Sequence, residues 1–330
     1  MQSFSREPRS RGVTPRLTYG AAFGMLCVIW GSTWLAIKIG LEGAPPFLSA
    51  SLRFVVAAVT LLVLSAVLRS RLPRGRVEWA LVVFYGVLLF TVDYGLIYWG
   101  EGNGVASGLS AVLFATFPFQ TAIAAHVLLR EERLSVQKLA GIALGFGGVL
   151  VIFRGQLVTA SGLAVPMLAI VLAATCAAVA NVAVKRWGHD ADPVSFNGIA
   201  MGTGAIGLAV VSLVAGERWA APSWPAGGGA ILYLAFAGSV VTFVTYLWLL
   251  KRIEVTSLSY IAFVIPIVAV SLGYVAGNEV LDALVLAGAG MTLAGIWFST
   301  SKWVTAGVHR AFSKPAPANP AADDPPGDKR

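Results

Sequence analysis

Val105-Ala106-Ser107-Gly108-Leu109-Ser110-Ala111-Val112-Leu113-Phe114-Ala115-Thr116-Phe117-Pro118-Phe119-Gln120 opens an apolar run that continues to Leu129 and turns through Arg130-Glu131-Glu132-Arg133-Leu134. A second apolar run, dotted with glycine, extends from Gly141 to Phe153. The same plan recurs nearly half a chain later. Val255-Thr256-Ser257 stands where Val105-Ala106-Ser107 stood, and Pro266 matches Pro118. Glu279, Gly288 and Gly295 match Glu132, Gly141 and Gly148, all three at one common offset. A period this long marks a duplicated domain rather than a solenoid of short repeats.

Outward from that stretch the chain keeps the same character. Hydrophobic residues make up 57% of the 330 and charged residues 12%, against about 45–50% and about 25% in an ordinary soluble domain. The excess sits in blocks of roughly 20 residues, the length that spans a bilayer core as a helix. Backbone inside a bilayer is helical or a closed barrel, and the blocks lack the alternating pattern of barrel strands. The class is therefore an all-α integral membrane protein. Cys27 and Cys176 each lie inside an apolar block, as small buried hydrophobes do, rather than as a disulfide or metal site.

Ten spans are expected, at about 18–38, 46–68, 78–98, 105–129, 136–153, 163–184, 195–215, 228–250, 256–277 and 281–301. Pro45-Pro46, Pro73, Asp192-Pro193, Pro222 and Pro225 punctuate the joints, as helix-ending residues should. Residues 1–17 form a basic tail without a convincing cleavage site, so the first block is a retained helix and not a signal peptide. Residues 18–154 make the first five-helix repeat and 155–303 the second. Residues 304–330, rich in Pro, Ala and Asp, form a disordered tail.

Lysine and arginine fix the expected orientation. With the N-terminus in the cytoplasm, eighteen of the 24 Lys and Arg residues fall on the inner side, including Arg69, Arg71, Arg74, Arg76, Lys185, Arg186, Lys251 and Arg252. The outer side holds Lys38, Arg154 and Arg218. Both termini are then cytoplasmic, in the cell membrane, and the net charge of +8 is an orientation signal. No nucleic-acid motif accompanies it. Five spans per half is an odd number, so the second half enters from the opposite side. That makes an inverted repeat, which favours a central site able to face either side in turn. Gly20/Gly24, Gly104/Gly108, Gly141/Gly145 and Gly198/Gly202 form small-xxx-small pairs, which let helix backbones approach closely.

At this level the residues resemble a known family. The first span carries Val28-Ile29-Trp30-Gly31-Ser32-Thr33-Trp34-Leu35-Ala36-Ile37-Lys38, followed by Pro45-Pro46-Phe47 and Ser51-Leu52-Arg53-Phe54. Tyr98-Trp99-Gly100-Glu101, the run from Ser107 to Pro118 and Arg130-Glu131-Glu132-Arg133-Leu134 complete the pattern. This is similar to the drug/metabolite transporter superfamily, and within it to the EamA-type carriers, over about residues 18 to 302. Residues 163–184 lack the Trp-Gly-Ser-Thr run, so the second half matches less well at its start. The resemblance implies ten helices and the export or uptake of small metabolites. It leaves the substrate open, since members carry amino acids, sugars, nucleotides and drugs.

Charges deep in a span are costly and usually functional. Arg53 and Asp93 both lie on the order of 10 Å below the outer surface, at 1.5 Å of rise per helical residue. Equal depth predicts that they meet, either as a substrate-binding or gating pair or as a structural ion pair. Glu101, at the outer mouth beside Tyr98 and Trp99, attracts cations, takes up a proton or is a solvated loop carboxylate. Trp30 and Trp34 of the first span and Tyr94 and Tyr98 of the third offer aromatic faces with polar tips, and Thr33 adds a hydroxyl. Tyr246, Trp248 and Tyr260 are their second-half counterparts in kind. Such side chains suit a small organic solute of mixed polarity, although some are interface anchors instead. Glu132 and Glu279 lie at loop edges, where capping or loop pairing is expected. His126, near the inner end of its span, is expected to be a satisfied or interfacial histidine.

The function these features favour is a secondary carrier that exports a small-molecule substrate, a metabolite or drug, by alternating access. No G-x-x-x-x-G-K-[ST] loop is present, so the chain does not itself use ATP as a P-loop transporter would. Three scattered histidines, His126, His189 and His309, argue against a membrane-embedded enzyme, and no ring-forming filter motif argues for a channel. No cofactor is expected. Proton coupling and oligomeric state are left open by the residues.

Overall fold

The structure, a computed structural model, describes residues 15–129, 131–152, 154, 162–268 and 283–301. Glu279, the end of the expected ninth span and most of both tails lie outside them. The described residues form helices joined by short turns: α1 (Pro15–Gly43), α2 (Pro46–Val67), α3 (Gly75–Gly102), α4 (Ser107–Leu128) and α5 (Val136–Ile152). The second half gives α6 (Ala164–Trp187), α7 (Pro193–Val214), α8 (Ala226–Leu250), α9 (Val255–Val268) and α10 (Ala283–Thr300). Eight are long and apolar enough to cross a membrane, while α5 and the described part of α9 are shorter. Outward-facing positions stay apolar, among them Leu35, Val59, Val63, Ile123, Ile206, Leu213 and Leu286. That is the reverse of a soluble surface and suits a lipid surround.

Helix ends are closed by acceptors that the sequence supplies from a distance as well as locally. Asp192 caps α7, its Oδ1 accepting from Val194 N and Ser195 N at 3.0 Å, with Pro193 at the first helical position, where its missing N–H costs nothing. The N-terminus of α2 has no side-chain cap of its own. Glu217, from the turn after α7, accepts there from Phe47 N at 3.0 Å and Leu48 N at 2.9 Å. Glu132 does the same for α9, accepting from Val255 N at 2.8 Å, Thr256 N at 3.2 Å and Thr256 Oγ1 at 2.9 Å. Capping was the role expected of it. His126 accepts at Nδ1 from Leu134 N, a satisfied histidine at a turn.

The packing obeys a two-fold relation between halves. Helices α2 and α7, α4 and α9, and α5 and α10 pack as pairs, and α1 packs on α8 as α3 packs on α6. Shifting each helix by five maps this set of contacts onto itself. The sense of the crossing is antiparallel. A Cβ on Gly141 would sit 2.6 Å from the Gly295 carbonyl, and one on Gly148 would sit 2.5 Å from the Gly288 carbonyl. Gly141 and Gly288 are sequence equivalents, as are Gly148 and Gly295, so the contacts are reciprocal, as a two-fold axis requires. Two equivalent helices running antiparallel make the repeats inverted. Gly198 and Gly202 similarly meet Leu61, Leu62 and Ala58 of α2, whereas Gly20 and Gly24 meet nothing.

Two irregularities recur by symmetry. Gly86–Asp93 of α3 and Phe236–Val241 of α8 are π-helical, at matching places in the third helix of each repeat. A π-turn inserts an extra residue and rotates the helix beyond it, and such turns gather at functional sites. The fourth helix of each repeat is also interrupted. In α4 regular helix stops at Phe114 and restarts at Phe117, with Pro118 in the first turn of the second half. In α9 the turn falls at Tyr260, where Phe263 N bonds the Tyr260 carbonyl, six residues before Pro266. The break at Pro118 follows from its missing donor; the turn in α9 precedes its proline by too far for that cause.

Candidate functional site

The π-helical segment of α3 and the break in α4 border a cavity of about 80 Å³ between the two halves. Trp30, Thr33, Trp34 and Ile37 of α1 line it, with Leu89, Asp93, Tyr94 and Ile97 of α3 and Phe114 and Phe117 at the break in α4. The second repeat contributes Ala177 and Asn181 of α6, Phe243 and Tyr246 of α8 and Ile265 of α9. Helices one, three and four of each repeat therefore build the walls. Phe117 and Ile265, each one residue before the matched prolines Pro118 and Pro266, are repeat equivalents in the lining.

The walls are aromatic and mutually braced. Trp30 lies 5.4 Å from Phe243 and 5.3 Å from Tyr246 between ring centroids, and Trp34 lies 5.8 Å from Phe114, which stacks at 5.5 Å on Phe117. Offset and edge-on arrangements of this kind hold rings in place beyond their area of burial. Thr33 turns its hydroxyl to the Trp30 carbonyl at 2.8 Å. Asn181 accepts from the Tyr85 hydroxyl at 3.2 Å, so its amide dipole is oriented from behind. Among the described residues, the fully buried polar atoms of the lining without a hydrogen-bond partner are Trp30 Nε1, Tyr246 Oη and Asp93 Oδ1.

Arg53 does not line this cavity and does not pair with Asp93. Its Nε donates to Ser239 Oγ and its Nη2 to the Gly238 carbonyl, each at 2.9 Å, and its Nη1 reaches the Tyr98 hydroxyl at 3.4 Å. The guanidinium lies 5.0 Å from the Phe54 ring centroid and 4.8 Å from that of Tyr94, which itself lines the cavity. It is 1% exposed. Equal depth was legible, but the pairing expected from it is replaced by a bond to the π-helical segment of α8. Gly238 allows this approach, since a Cβ there would meet Arg53 Nη2 at 3.4 Å and Thr33 Cγ2 at 2.9 Å.

The remaining expected residues divide by place. Glu101 is buried at the end of α3, with Lys38 and the Ser110 hydroxyl close by, and lines a vestibule of about 670 Å³ with Lys38, Glu42 and Pro46. Trp248 lies away from the cavity, under the Arg252 guanidinium at 4.3 Å and edge-on to Tyr19. Tyr260 stacks on Phe263 and bonds Ser299, in the packing of α9 against α10. Sequence reasoning missed Phe114, Phe117, Asn181 and Phe243.

Residues 18–154 and 164–301 each match the EamA-like transporter family. The chain belongs to that family. The EamA match falls once on each repeat, and curated relatives agree with it. This EamA chain is 30% identical to the "Uncharacterized inner membrane transporter YedA" of Escherichia coli over 81% of its length and 85% of that protein's. It is 28% identical to the "Uncharacterized transporter YoaV" of Bacillus subtilis, over 83% and 93% of the two. It is likewise 28% identical to a "Probable amino-acid metabolite efflux pump" of Salmonella typhimurium, over 83% and 92%. A solved crystal structure superposes with a TM-score of 0.72 at 19% identity, over 86% of this chain and 98% of that one, a likeness of fold alone. The protein is thus a multi-pass membrane transporter.

Proposed function

We propose that this EamA protein is a secondary carrier that exports a small organic solute by alternating access, with the cavity between α1, α3, α4, α6, α8 and α9 as its binding site. The observation that carries the reading is the composition of that cavity: each repeat supplies its first, third and fourth helices. A site built at the interface of inverted repeats faces one side or the other when the halves rock. Its aromatic walls and few unpartnered polar atoms suit a solute with an apolar body and one polar group. At about 80 Å³, several times the roughly 10–15 Å³ that admits one water, the cavity has room for a small solute.

The charge split supports an N-in, C-in orientation. Export is supported by the efflux pump among the relatives, whose amino-acid metabolites are one class to try. The test is counterflow in proteoliposomes. Preloading with unlabelled solute should accelerate entry of the labelled solute with saturable kinetics. Linear, non-saturating flux unaffected by preloading would indicate a pore and refute the carrier.

A further inference from the structure

The charge lining the cavity is one-signed. Asp93 is its sole charged lining side chain among the described residues, 1% exposed, with Oδ1 lacking any hydrogen-bond partner. A buried carboxylate without donors is expensive, and it is met by a proton, a partner or a bound cation. The nearby cation is engaged elsewhere. Arg53 is held by Gly238, Ser239 and Tyr98, and Tyr94 stands against its guanidinium on the cavity side. Among the described residues the second half brings no charged side chain to the lining.

The cavity that Asp93 lines is walled by aromatic rings. Trp30, Trp34, Tyr94 and Phe243 all border the same cavity, and indole and phenol faces attract an ammonium group, more strongly when both are out of water. An anion placed there would meet the carboxylate and the negative faces of the rings, with Trp30 Nε1 and the Tyr246 hydroxyl as its donors.

We propose that the cavity selects a monovalent organic cation, a small alkyl- or arylalkyl-ammonium solute, with Asp93 as its counter-charge and the four rings as its walls. The proposal rests on the carrier reading for its biological meaning, but its physical content is binding. An ammonium N–H donates to Asp93 Oδ1, the apolar body lies among the rings, and the pair is neutral overall. Selectivity follows from the lone carboxylate: the neutral alcohol loses the charge attraction, and the carboxylate analogue meets repulsion.

The test uses three isosteric probes on the purified full chain: 2-phenylethylamine, 2-phenylethanol and phenylacetate. Binding is measured by calorimetry in detergent and counterflow in proteoliposomes. The amine should bind at least tenfold more tightly than either isostere. Asp93→Asn should abolish that preference, and Asp93→Glu should retain part of it. If the wild-type protein shows no preference for the amine, the proposal is overturned, whatever the variants do. Saturable counterflow of the alcohol or the acid without amine preference overturns it and leaves the carrier standing. Amine-selective binding that Asp93→Asn removes, with no counterflow of any probe, supports the cation site and overturns the carrier.

Discussion

Arg53 on α2 donates from Nη2 to the carbonyl oxygen of Gly238 on α8 at 2.9 Å. The bond ties the first repeat to the π-helical segment of the second, beside the cavity. Hydrogen bonds from a charged donor are worth about 1.5–3 kcal/mol each, and this guanidinium makes two at short range. Arg53→Ala should lower the melting temperature in detergent by several degrees and reduce flux. Arg53→Lys, which cannot bond Gly238 and Ser239 in the same fork, should recover only part of either. Equal stability of all three proteins would show that the bond carries nothing.

Because Arg53 and Asp93 do not pair, exchanging them should not rescue. The combination of Arg53→Asp with Asp93→Arg should be at least as damaging as the worse single change, read as transport per folded molecule. Recovery toward the wild-type level would mean that the two groups do interact.

The crossing of α5 and α10 predicts a contrast between glycines. A side chain at Gly148 meets the Gly288 carbonyl at 2.5 Å, while one at Gly24 meets nothing within 4 Å. Overpacking costs about 1–3 kcal/mol, and here the obstacle is backbone. Gly148→Leu should sharply cut the yield of folded protein, and Gly24→Leu should leave it near the wild-type level. Similar yields from the two would remove the close approach of the paired helices.

Much of the architecture was legible because it rests on long, repeated signals. Block length marks spans, the offset between Pro118 and Pro266 marks duplication, and an odd span count marks inversion. The candidate site was half legible for a physical reason. Trp30, Trp34 and Tyr94 line the cavity, but residue type does not say which way a side chain points. Trp248 turns out to Arg252 and Tyr260 to Ser299. The π-turns that carry Asp93 and present Gly238 to Arg53 leave no mark in hydrophobic periodicity.

The two remote caps should behave as independent supports. Losing an N-cap acceptor costs about 0.5–2 kcal/mol. Glu132→Ala and Glu217→Ala should each lower the melting temperature modestly, and the double variant should show the sum, because the caps share no partner. A double variant no worse than either single one would contradict their separate placement.

Orientation is tested by reporter fusions in the loops. Fusions at Arg74 and Lys251 should report the cytoplasm, and fusions at Lys38 and Arg218 the outside. Arg74 and Arg218 on one side would overturn the inverted topology in the membrane.

Access to the cavity from the two sides of the membrane tests alternating access most directly. Ala177 lines the cavity, and a single cysteine there, Ala177→Cys with Cys27→Ser and Cys176→Ser, serves as the probe. A membrane-impermeant thiol reagent should label it from either side in turn, and a transported solute should shift the two labelling rates in opposite directions. Labelling from one side only, with or without solute, would make the cavity a closed pocket and contradict alternating access.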